Sequence, residues 1–61
     1  MTFEVRIDCD NDAFAGNALF EISRILIELA ADVKAGSANH QLLDINGNRC
    51  GQCCLIVDEE E

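Results

Sequence analysis

The sequence predicts an α+β fold: a single small β-α-β-β domain, with a three-stranded antiparallel sheet in strand order 1-3-2 and one helix packed on one face. Three features predict it: a period-two run at the N-terminus, a helical-period run in the middle, and an Asn-Gly pair between two apolar runs near the end. With 61 residues there is chain for one core, so residues 1–61 are read as one domain.

The first strand is "TFEVRIDC". Phe3, Val5, Ile7 and Cys9 alternate with Thr2, Glu4, Arg6 and Asp8, the pattern of a strand with one buried face. "DNDAFAGN" breaks the alternation with turn-forming Asp, Asn and Gly. The helix starts after Asn17, whose side-chain oxygen can accept from a free N–H of the first turn. Ile22, Ile25, Leu26, Leu29, Ala30 and Val33 then form one apolar stripe on a helix of about 17 residues, roughly 25 Å long at 1.5 Å per residue. Lys34 suits the negative end of the helix dipole, and Gly36 a left-handed cap. Glu21, Glu28 and Asp32 share the opposite sector with Arg24. Phe20, Ile27 and Ala31 make a second apolar line, expected beneath "AFAG" with Phe14 as its contact, or else exposed for a partner.

"QLLDINGNRCGQCCLIV" predicts a hairpin. Asn46-Gly47 suits a two-residue type I′ turn, which sets Asp44 opposite Arg49 and Leu43 opposite Cys50. Gly51 is a candidate bulge. "CCLIV" is apolar without alternation, as a strand flanked on both sides would be, so the third strand belongs in the centre.

Twelve acids against four bases give a formal charge of −8. That excludes nucleic acid as a direct ligand, because phosphate binding needs Lys and Arg. No apolar stretch approaches the ~20 residues that span a bilayer, and "MTFEVRIDCD" carries charges within its apolar run, so neither a membrane span nor a secretory signal is expected. The expected location is the cytoplasm, where thiols stay reduced.

Cys50 and Cys53 have C-x-x-C spacing, used by zinc sites and redox pairs alike. In an extended strand, residues three apart face opposite sides about 10 Å from each other. The cysteines therefore read as packing: Cys9, Cys50 and one of Cys53 and Cys54 as small core hydrophobes, with no metal and no cofactor. The alternative is a zinc-binding or thiol redox module built on Cys50, Cys53, Cys54 and Cys9 or His40. His40 is expected in a solvated loop. No Ser-His-acid or Cys-His set is expected to find a pocket, and the chain reads as a non-enzyme with no catalytic residues.

"DNDAFAGNALFEISRILIELA" followed by "LLDINGNRCG" resembles small acidic phage and prophage proteins, and in particular anti-CRISPR proteins of type I-C. The likeness covers about residues 7 to 51, and "CGQCC" departs from its pattern. It implies a phage or mobile-element protein acting in a bacterial cell, an inhibitor that blocks target DNA binding by a type I, expectedly I-C, crRNA-guided surveillance complex. The implied partner is a Cas subunit at its DNA-binding surface, and the expected state is a monomer rather than a dimer. Physics gives the mechanism: a rigid domain competes with DNA if it spaces carboxylates like phosphates. Glu28 and Asp32 lie about 6 Å apart along a helix axis and Glu21 about 10 Å further back. Glu21, Glu28 and Asp32 are the candidate mimic stripe. Asp10 and Asp12, beside Asp8, support it from the loop, and Asp58, Glu59, Glu60 and Glu61 from the tail. A structural phage accessory protein that self-associates through Phe20 and Ile27 is a further alternative.

Overall fold

Alternation in the N-terminal run becomes strand β1 (Thr2–Ile7), the first element of a computed structural model that describes residues 1–58. A short 3-10 turn (Asp12–Phe14) leads to helix α1 (Ala18–Lys34), then strands β2 (His40–Leu43) and β3 (Arg49–Ile56). The sheet is antiparallel in order β1-β3-β2, as predicted.

The helix begins and ends where its capping residues dictate. Asn17 accepts the Phe20 N–H at 3.1 Å, satisfying one donor of the first turn. At the other end Gly36 takes φ 101°, its N–H reaching the Val33 carbonyl at 2.9 Å while Ser37 N–H reaches that of Asp32 at 2.8 Å. This pair of bonds closes the last turn over a left-handed glycine.

The hairpin forms with a different turn and register. Gly47 has φ 84°, but Asn46 does not enter the positive-φ region, so the turn is not type I′. Asp44 N–H binds the Asn48 carbonyl at 2.8 Å and Gly47 N–H the Asp44 carbonyl at 3.0 Å, the bonds of a three-residue loop ending on a left-handed glycine. The cause is the Asp44 side chain, whose Oδ1 accepts from Asn46 N–H at 2.8 Å and Asn48 N–H at 2.9 Å. Arg49 consequently faces Leu43 rather than Asp44, and donates instead to Gln52 Oε1 at 2.8 Å. The register shifts between Leu42 and Leu43, leaving Cys50 as an extra residue on β3. Next to this bulge, Gly51 lies so close to β1 that any Cβ there would collide with the Arg6 carbonyl oxygen.

The core consists of Phe14, Ile25, Leu29, Leu42, Cys50 and Cys53, with Ile7, Ala13, Ala18 and Ile22 packed against it. The buried line of α1 is Glu21, Ile25 and Leu29; Leu26, Ala30 and Val33, expected in the apolar stripe, are exposed. Phe20, Ile27 and Ala31 are exposed too and do not lie beneath the Ala13–Gly16 segment; Phe14 joins the main core. The helix is rotated because Glu21 and Arg24 tether it to the hairpin. Arg24 Nη2 donates to the Leu43 carbonyl at 3.3 Å, and Ile45 N–H donates to Glu21 Oε2 at 2.8 Å.

Candidate functional site

The acids divide into structural and surface groups. Glu21 is only 3% exposed, so it leaves the expected mimic stripe. Arg24 grips it with both arms, Nε to Oε1 at 3.0 Å and Nη2 to Oε2 at 2.7 Å. That pairing holds the Glu21 carboxyl below its ordinary value; burial opposes the shift and the Ile45 N–H adds to it. Asp44 is likewise buried, accepting from Asn11 Nδ2 at 2.7 Å as well as from the turn amides. These two carboxylates fasten the helix and the β1–α1 loop to the hairpin.

Glu28 and Asp32 remain exposed, as the sequence led one to expect. They stand on the rim of a cleft of about 180 Å³ between α1 and β2, whose lining includes Ile25, Leu29 and Leu42 as well as His40. Arg24 Nη1 reaches Glu28 Oε2 at 2.8 Å, and His40 Nε2 lies 3.4 Å from Asp32 Oδ2. One guanidinium thus serves both Glu21 and Glu28, so the cluster keeps an excess of negative charge. Asp10 and Asp12 are exposed in the loop that precedes α1, beside Asp8, which sits 3.5 Å from Arg6 Nε. Asp58 is exposed, 2.9 Å from the Met1 amino group. Glu59, Glu60 and Glu61 lie outside the described residues. Among the described residues, the surface acids thus include a group on the helix flank facing β2 and a group in the β1–α1 loop, with Glu4 and Asp58 apart from both.

The bulge at Cys50 changes the thiol geometry from the strand expectation. Cys50 and Cys53 are both buried, Cys54 is half-buried, and Cys9 is exposed rather than part of the core. Burial raises the Cys50 thiol pKa, with the carboxylates of Asp44 and Glu21 adding to the shift. His40 is the first residue of β2 rather than a solvated loop residue, half-buried and opposite Cys53. Cys53 Sγ lies 3.7 Å from His40 Nδ1 and 3.9 Å from Nε2, while Ser37 Oγ lies 3.1 Å from Nδ1. The sulfur is nearly equidistant from both ring nitrogens, so it sits against the ring rather than in line with one N–H. Among the described residues, no group of three or more His, Cys, Asp or Glu side chains is disposed to hold a metal ion. Among them, too, no helix is long and apolar enough to cross a membrane.

No protein-family model matches the chain, and neither a curated protein nor a solved structure matches it significantly.

Proposed function

We propose that this protein is a stoichiometric, non-catalytic inhibitor of a type I, specifically I-C, crRNA-guided surveillance complex, acting in the cytoplasm of a bacterial host. It would occupy the DNA-binding surface of a Cas subunit with carboxylates in place of phosphates. The observation that carries this reading is the acid-rimmed cleft on a chain of net charge −8. Its rim acids, Glu28 and Asp32, suit the charged head of a lysine or arginine. Asp10 and Asp12 supply a second contact group in place of the buried Glu21. The type I-C assignment comes from the resemblance of the helix and hairpin segments.

The test is competition between the protein and target duplex for a purified type I surveillance complex across a salt series. Binding should weaken steeply with salt, and neutralising the rim with E28Q and D32N should raise the dissociation constant by about tenfold or more. Binding that survives about 0.5 M salt, where charges are screened beyond ~4 Å, while target DNA still loads, overturns the reading. A second reading is a zinc or thiol module; the contact of Cys53 with His40 brings together two of its residues, and among the described residues no third ligand joins them. Stoichiometric zinc in protein purified under reducing conditions, or unfolding on chelation, would put that reading first.

A further inference from the structure

Strand β1 is an edge strand: it pairs with β3 on one side, and among the described residues nothing pairs with the other. It is six residues long, with no proline and no bulge among its pairs to β3, and its two charged residues, Glu4 and Arg6, are of opposite sign. Asp8 N–H points to β3, where it meets the Cys50 carbonyl at 2.7 Å. Backbone direction alternates along a strand, so Phe3, Val5 and Ile7 turn their N–H and C=O groups to the open edge. Their side chains lie on the helix side of the sheet, because Val5 is paired with buried Cys53. The helix does not cover them well: Phe3 is 42% and Val5 39% exposed. Arg24 and Asp32 turn one flank of α1 toward β2, which leaves exposed Leu26 and Val33 on the flank toward β1. The exposed side chains named along that flank and edge, Phe3, Val5, Leu26 and Val33, are all apolar.

We infer that a second copy of this chain pairs antiparallel with the open edge of β1, joining two sheets into one. The occupant is argued from self-complementarity of the strand. Antiparallel partners point to the same face, so only registers that set odd residues against odd ones keep Phe3, Val5 and Ile7 on the apolar side. Centring on Glu4 opposes two glutamates, and centring on Arg6 opposes two arginines, both unfavourable. Centring on Val5 sets Glu4 of each copy against Arg6 of the other, Val5 against Val5, and Phe3 against Ile7. In that register Phe3, Val5 and Ile7 all find main-chain partners, and the apolar strips of both copies meet beneath the two helices. The inference is independent of the inhibitor reading.

The experiment is sedimentation velocity over a concentration series at 50 and 500 mM salt, with circular dichroism to confirm folding. The wild-type chain should sediment as a dimer. Single reversals E4R and R6E each replace two attractive pairs with two repulsive ones and should raise the dimer dissociation constant by about tenfold or more. The double variant E4R/R6E should recover the dimer. Mixing the two single variants should yield a heterodimer, because each supplies the charge the other lacks. A wild-type chain that remains monomeric at both salt concentrations, or single variants that dimerise like wild type, would overturn the inference. Neither result touches inhibition of the surveillance complex, which is measured separately by competition with target duplex.

Discussion

Glu21 shows how one side chain can be read two ways. By sequence it belongs with Glu28 and Asp32, three acids near one arginine. In space it belongs with Ile25 and Leu29, and Arg24 neutralises it where the helix meets the hairpin. The readable signal was the i, i+4, i+8 line that these residues form. The helical spacing of Leu26, Ala30 and Val33 points one sector away, although none of the three is buried. Since the folded-state pKa of Glu21 is depressed from 4.5, its contribution to stability is fully present above that value and lost as pH falls through the lower folded value. Acid unfolding monitored by circular dichroism should show this limb in the wild-type chain. In Glu21→Gln it should flatten, because a neutral side chain has no proton to take up. An unchanged acid limb would mean that other carboxylates dominate it.

At the scale of elements, local chemistry determined most of the fold. Asn17 and Gly36 bound a helix of 17 residues, and the unalternating apolar run of β3 placed that strand in the centre. The hairpin was legible as a hairpin but not in its register. Asn-Gly favours a two-residue turn, yet the Asp44 carboxylate pays a larger return by holding two turn amides, and that adds a loop residue and displaces Cys50 into a bulge. Cys50 is buried as expected, but the shift buries it together with Cys53, where unbroken strand geometry would put residues three apart on opposite faces. Gly51 had a visible signal as a bulge candidate, but its closeness to the β1 backbone depends on tertiary packing. Gly51→Ala should therefore separate β1 from β3, whereas Asn17→Ala should cost only about 1 kcal/mol of a stability near 3–5 kcal/mol. Urea titration distinguishes them. N17A should retain a cooperative transition at lower midpoint, and G51A should lose it; a cooperative G51A near the wild-type midpoint would show that β1 can move aside.

For the whole molecule, charge and apolar surface point at different partners, and salt separates them. Attraction between the surface acids and a basic channel is screened as ionic strength rises, with a Debye length of about 10 Å at 0.1 M falling to about 3 Å at 1 M. Two copies of this chain each carry −8, so their mutual repulsion is screened by the same ions. Their apolar strips, by contrast, owe their association to water rather than to charge. The two Glu4–Arg6 pairs are solvent-facing and worth at most about 1 kcal/mol each, so they select the register, while the charge of −8 on each copy sets the sign of the salt dependence. Raising salt from about 50 to about 500 mM should thus weaken the proposed binding to a surveillance complex and strengthen the proposed self-association in the same preparation. Competition binding and sedimentation run over one salt series read both slopes. A complex affinity indifferent to salt would remove charge mimicry as the mechanism, and self-association that declines with salt would mean that ion pairs, not the apolar face of β1, hold the two copies together.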